Sequence, residues 1–368
     1  MIWSPQTLKL SGVVTEPASK FLDSVMQDAT SGNAPFLGVL WLLAGCPVVA
    51  ILAIIVIHEL GHLFAGWLVG FRFVVIRFGP IKVTAPFRIS LYREGKVGAH
   101  GFTGMVPAGM SRVRTRMIVF VLAGSIANLL SAAAVMLLVH ANSGFSAWFV
   151  LLAVLIGIGN LIPFSRLSTI SDGKRLLMLL RNDRSGERWL AITQLSADLR
   201  NGAALEDLRP ESIALATAVR DESPDTAVAH MLAYSASWYT GTTDETSLLL
   251  EICLQYSSCA PPMLREVILC DAGVFQGRKR KRTDLAQAWL ADLPEKTHLP
   301  GLHQRVQAAI LESQDDFHGA IQKLDEVESI TLSLPDPRQR VLSLKLLRRW
   351  RSELQEKLLA SQTSLNTN

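Results

Sequence analysis

Three stretches of this chain are apolar over about the 20 residues that a helix needs to cross a bilayer, and this constrains the fold more than any other feature. The first ends near Val69 and begins between Pro35 and Pro47. It reads as one long tilted helix kinked at Pro47, or as a short re-entrant piece leading into a helix. The second covers about Met117 to Val139 and the third about Phe145 to Leu161. Only His140-Ala141-Asn142-Ser143-Gly144 separates them, so a tight antiparallel hairpin is expected. The chain as a whole is 49% hydrophobic and 18% charged, but that average hides two halves. Apolar runs continue to about Leu180, and beyond it the composition is that of an ordinary soluble domain. At 368 residues the chain is too long for a single ordinary domain. The expected division is an N-terminal segment over 1–34, a membrane core over 35–184 and a soluble domain over 185–368. The expected fold class is mainly α, with about three transmembrane helices and a small membrane-associated β segment.

The first apolar run contains His58-Glu59-Leu60-Gly61-His62. On a helix, His-Glu-x-x-His sets two imidazoles at i and i+4 on one face, where they can bind zinc, with a carboxylate beside the first to handle a proton. Three ionisable side chains inside a membrane span are costly and call for a function or a partner. A satisfied histidine pair in the core of a buried soluble helix is the bland alternative. Zinc at a catalytic site needs a third protein ligand and a water. Pro163 breaks the helix after the third run, and Asp172-Gly173 then offers a carboxylate and a close backbone approach. His100 and His140 are the rivals, the first in the loop between spans and the second at the far membrane face. Asn128 needs a hydrogen-bond partner in its apolar run. Helix packing is its first reading and orienting a ligand its second.

Between the first two runs stand Arg72, Arg77, Lys82, Arg88, Arg93, Lys96, Arg112, Arg114 and Arg116 against the single acid Glu94. The link between the second and third runs has no Lys or Arg, while Lys174, Arg175, Arg181 and Arg184 follow the third. Positive residues stay cytoplasmic, which puts the basic loop and the C-terminal half inside and the N-terminus outside. His62 lies eight residues before Gly70, roughly 12 Å from the cytoplasmic helix end. Within the loop, 71–78, 81–84 and 89–92 are rich in β-branched and aromatic residues and read as short strands of a sheet against the membrane face. An edge of that sheet either pairs with an extended substrate or only covers the site. The net charge of +4 gives no indication of nucleic-acid binding. Cys46, Cys253, Cys259 and Cys270 show no metal or disulfide spacing and suggest reduced thiols. No signal peptide is expected between Met1 and Asn33.

With these pieces in order, the chain resembles the site-2 protease family of intramembrane zinc metallopeptidases over roughly residues 45–180. The resemblance rests on His58-Glu59-Leu60-Gly61-His62, Phe78-Gly79-Pro80, the 101–107 region, Gly124-Ser125-Ile126-Ala127-Asn128, Asn160-Leu161-Ile162-Pro163 and Asp172-Gly173. It implies zinc as cofactor, His58, His62 and Asp172 as its ligands, Glu59 as the catalytic base, and Asn160 as a residue that helps position substrate or loop. The step from Asn160 to Asp172 is longer than the family's, with Ser165-Arg166-Leu167-Ser168-Thr169 as the extra stretch. The short link between the second and third runs leaves no room for the PDZ domain some members carry.

From about Ser185 onward the chain reads as helical. The aromatics Tyr239, Phe275 and Phe317 recur at 36 and 42 residues, and the segment from Ala308 to Leu324 resembles a tetratricopeptide (TPR) helix pair. A TPR-like array would offer a curved surface to a protein partner, and an ordinary helical bundle is the alternative. The basic run Arg278-Lys279-Arg280-Lys281-Arg282 reads first as a solvated loop and second as an anionic-lipid contact. The tail over 361–368 is expected to be disordered. The resulting expectation is a multi-pass endopeptidase of a bacterial inner or plasma membrane that cleaves a membrane protein substrate within the lipid bilayer. A non-catalytic membrane adaptor, or a component of peptide maturation or export, is the alternative.

Overall fold

A computed structural model describes residues 41–85, 87–91, 101–139, 144–166, 169–334 and 337–366. The N-terminal segment, the start of the first run, His100 and His140 lie outside the described residues. A π-helical turn over Trp41–Gly45 leads into α1 (Cys46–Leu68), with Pro47 at its start, where a missing N–H costs nothing. The helices α2 (Val113–Leu138) and α3 (Gly144–Leu161) complete a three-helix core. All three are long and apolar enough to cross a membrane.

Their packing is inverted relative to a soluble bundle. Small and polar groups point inward, with Ala50, Ser125, Asn128 and Ala153 fully buried. Large apolar groups point outward, among them Phe64, Trp67, Leu130, Leu137, Leu155 and Ile158. Water would penalise that surface heavily, whereas lipid would not. The bland alternative of a soluble core helix does not account for it. The close approach of α1 to α2 depends on Gly61, where a Cβ would lie 2.7 Å from the Ala123 carbonyl oxygen.

Between α1 and α2 runs an antiparallel sheet of β1 (Phe71–Phe78), β2 (Ile81–Thr84), β3 (Arg88–Leu91) and β4 (Gly101–Pro107), in the order β3-β2-β1-β4. A bulge between Phe73 and Val75 re-phases β1, so Phe71 and Ile76 are both buried despite their odd spacing. The three expected strands are present; β3 begins one residue before its expected start, and Tyr92, its expected end, lies outside the described residues. β4 closes the sheet against β1 and forms an edge.

After α3 the chain turns through a two-strand hairpin, β5 (Ser165–Arg166) and β6 (Thr169–Ile170), into α4 (Asp172–Arg181). A helical domain follows: α5 (Arg184–Arg200), α6 (Pro210–Thr217), α7 (Pro224–Thr240), α8 (Thr243–Gln255), α9 (Pro262–Arg278), α10 (Thr283–Asp292), α11 (Leu302–Ser313), α12 (Phe317–Ser333) and α13 (Pro337–Asn366). Helix α5 has two buried faces. Ala191, Ile192 and Leu195 pack inside the helical domain, while Trp189 and Leu190 pack on Phe71, Met117 and Leu179 of the membrane core. Ala308, Ala309, Ala320 and Leu324 do join α11 and α12 in one core. The recurring aromatics are less regular, for Tyr239 and Phe275 fall near the ends of α7 and α9 while Phe317 opens α12.

One expectation is corrected here and one is met. Helix α13 continues to Asn366, so all but the last two residues of the expected disordered tail are helical. The basic run is a turn between α9 and α10 in which every cation has a partner. Arg278 binds Glu312 and Glu353, Lys279 the Trp238 carbonyl, Arg280 Asp244, Lys281 Asp315, and Arg282 Asp284. The run is the solvated loop of its first reading, with Lys279, Arg280, Lys281 and Arg282 exposed.

Candidate metal centre

The expected ligands come together. His58 and His62 project from one face of α1, one turn apart, and both are buried. Asp172, the first residue of α4, reaches them from 110 and more positions away. His58 Nε2 lies 3.0 Å from Asp172 Oδ2 and 3.1 Å from His62 Nε2, and His62 Nε2 lies 3.3 Å from Asp172 Oδ2. A tetrahedral zinc with bonds near 2.0–2.1 Å would have ligand-to-ligand edges of roughly 3.3 Å. The triangle therefore has the size of one face of such a site. Among the described residues this is the one group of three ligating side chains close enough to share an ion.

The opposite sides of the imidazoles support the same fit. His62 Nδ1 lies 2.7 Å from the Phe120 carbonyl oxygen, a pure acceptor, so Nδ1 carries the hydrogen and the neutral ring turns its Nε2 lone pair into the triangle. His58 Nδ1 faces the Asn128 amide, whose nitrogen lies 3.2 Å away. As drawn, Asn128 Oδ1 is buried without a hydrogen-bond partner. A half-turn of the amide, which leaves its shape unchanged, lets that oxygen accept from His58 Nδ1–H. Both rings then present Nε2 lone pairs to each other and to a carboxylate. Three electron-rich atoms at such separations could hold a cation among them. Of the two readings of Asn128, orienting a ligand is the one this contact supports.

The space for an ion comes from missing side chains. Helix α2 crosses the triangle at Gly124, where a Cβ would lie 2.4 Å from His62 Nε2 and 2.6 Å from His58 Nε2. Asp172 gets close because a Cβ at Gly173 would strike the Leu161 carbonyl. The extra residues after Asn160 do not displace Asp172. Ser165, Arg166 and Thr169 lie in the paired strands β5 and β6, and Ser171 closes their base: its N–H donates to Phe164 O, its hydroxyl donates to Ile162 O, and its Oγ accepts from the N–H groups of Phe164 and Lys174.

Glu59 is not among the three ligating side chains and is held by β4. Thr103 of β4 donates to its Oε2 at 2.6 Å, and a Cβ at Gly101 would lie 2.2 Å from its Oε1. Strand β4 thus covers this carboxylate closely. Asn160, in the last turn of α3, sits with its amide nitrogen 3.4 Å from His58 Nε2, at the rim of the triangle. Thr103, Phe120 and Gly124 were not singled out as site residues from the sequence. Their roles depend on contacts between elements far apart in the chain, and only the glycine pattern near Gly124 hinted at one of them.

The described donor set, two imidazoles and one carboxylate with a carboxylate neighbour, suits a hard-to-borderline divalent ion with one position left open. No protein-family description, curated protein or solved structure matches this chain.

Proposed function

We propose that this chain is an intramembrane zinc metalloendopeptidase of the site-2 protease family, cleaving membrane-embedded protein segments in regulated intramembrane proteolysis. The observation that carries the proposal is the convergence of His58, His62 and Asp172 at zinc-sized separations inside a bundle whose outer surface suits lipid. Zinc, when bound, supplies Lewis acidity toward a water and a carbonyl oxygen. His58, His62 and Asp172 hold it, and Asn128 and the Phe120 carbonyl fix the rings from behind. Glu59 takes a proton from the attacking water as its oxygen bonds to the scissile carbonyl carbon. The same carboxyl delivers that proton to the amide nitrogen as the C–N bond breaks. Asn160, at the rim, is placed to hold substrate. The edge of β4, beside Glu59, suits an unwound substrate segment that pairs through its main chain.

The test compares wild type with Glu59→Gln in membranes carrying candidate substrates. The glutamine keeps the shape and removes the base. It should retain zinc and lose cleavage by a factor on the order of 10² or more. His58→Ala and His62→Ala should lose both. Wild-type protein without about one zinc per chain would favour a membrane adaptor instead.

A further inference from the structure

Helix α4, which begins with Asp172, is gripped by the helical domain through a residue the metal chemistry does not use. Arg175 stands three positions after Asp172 on the same helix and forms a two-pronged pair with Asp225. Its Nη2 donates to Asp225 Oδ1 at 2.7 Å, and its Nη1 donates to Oδ2. The guanidinium also lies 4.5 Å from the centre of the Trp189 ring. The Arg175 and Asp225 side chains are only 17% and 8% exposed, so water screens the pair little. Asp225 lies in the first turn of α7 and Trp189 lies on α5. Both belong to the helical domain.

Ten residues are too few for an isolated helix to hold its own position. The place of α4 is therefore set by its anchors. Ser171 ties its start to the segment after α3, and Arg114 of α2 donates to the Leu179 carbonyl near its end at 2.9 Å. Arg175 is the anchor between them, less than one turn from Asp172, and it fixes the rotation of α4 about its axis. Two-pronged arginine–carboxylate pairs resist sliding and twisting, which a single contact does not.

We infer that Arg175, Asp225 and Trp189 form a clamp through which the helical domain sets the position of Asp172, and hence the metal affinity of the site. Arg175 and Asp225 are positioning residues, and the inference rests on the metal reading given above. The clamp makes the third ligand adjustable: whatever shifts α5 and α7 relative to the membrane core turns α4. Among the described residues, no hydrogen bond or ion pair joins His58 or His62 directly to the helical domain.

The experiment uses the full chain in detergent, with zinc affinity measured by chelator competition and ligand geometry by the visible absorption of the cobalt-substituted protein. Arg175→Met and Asp225→Asn should each weaken zinc binding about tenfold, the lower end for residues that orient a metal ligand. The double variant should be no weaker than either single one, since one contact is lost in all three. Arg175→Lys, which keeps the charge but not the fork, should fall between wild type and Arg175→Met. The cobalt spectrum should shift in Arg175→Met and Asp225→Asn. Unchanged affinity and spectrum in those two variants, beside a wild type that binds zinc, overturn the clamp and leave the metal reading standing. A wild type that binds no zinc overturns both.

Discussion

That Asp172, His58 and His62 could share an ion was legible because their chemistry is local: a motif on one helix, and a carboxylate after a broken one. What holds them was not legible. Asn128 reaches His58 from α2, Phe120 supplies a main-chain oxygen to His62, and Thr103 reaches Glu59 from β4. No spacing rule announces a carbonyl group or the absence of a Cβ. Gly124 shows this best and gives a sharp test. In an exposed helix, Gly→Ala stabilises by about 1 kcal/mol. At Gly124 the new methyl would lie 2.4 Å and 2.6 Å from the two Nε2 atoms, so the rings would have to swing away. They are the free ends of side chains and can move, but moving them breaks the ligand triangle. Gly124→Ala should therefore keep or raise helix content by circular dichroism while losing at least about tenfold in zinc affinity, the scale of lost ligand orientation. A variant that binds zinc like wild type would show that α2 does not bound the ion.

At the scale of elements, bilayer length and side-chain alternation carried the reading. The three spans and the strands β1 to β3 follow from apolar runs and β-branched residues, and the structure places them close to expectation. Strand β4 was missed as a strand because Gly101 and Gly104 dilute its pattern, and both glycines are there for close packing. The β5–β6 hairpin was missed because two-residue strands have no period to detect. The seam between α5 and α7 was hidden for another reason: its core is polar. Arg188 is 1% exposed and donates to Asp221, Ser223 and Thr226, and Asp221 also accepts from Ser223 and Thr226. Burial alone would raise the Asp221 carboxyl, but the bonds from Arg188, Ser223 and Thr226 outweigh it and bring its pKa down to about 2. A carboxylate held below its unfolded value near 3.9 stabilises fully above that value and loses the contribution as pH falls toward its folded one. The helical domain should thus lose stability between about pH 4 and pH 2, leaving Arg188 buried without its counter-charge. Thermal melts of the full chain across that range check it. Asp221→Asn should melt lower at pH 7 and show a shallower loss below pH 4. A variant that matches wild type at both would remove Asp221 from the seam.

For the whole molecule, two separate arguments that constrain each other predict one membrane orientation. The fold alone requires the sheet and the helical domain to share one side. Arg72 of β1 donates to Asn201 after α5, and Trp189 and Leu190 pack on Phe71 at the start of β1. In a membrane, helices α2 and α3 would then cross out and back. Charge chooses which side is which. Arg72, Arg77, Lys82, Arg88, Arg112, Arg114 and Arg116 stand with Lys174, Arg175, Arg181 and Arg184 on the side of the helical domain, which the retention of positive loops predicts to be cytoplasmic. Several of these cations also serve the fold. Arg116 donates to the carbonyls of Val69, Gly70, Gly109 and Ser111, and Arg114 to that of Leu179. A cation committed to main-chain oxygens still resists translocation, so the count stands. The native thiols give a quiet background for the test, because all four cysteines are buried and burial pushes Cys253 and Cys270 up to about 12. A membrane-impermeant maleimide added to intact cells should label Asn142→Cys, in the link between α2 and α3. It should reach Lys82→Cys on β2 and Leu359→Cys on α13 only after the membrane is opened. Labelling of Lys82→Cys and Leu359→Cys together from outside would reverse the orientation and keep the fold. Labelling of one without the other would separate the sheet from the helical domain and contradict the packing of α5 on the core.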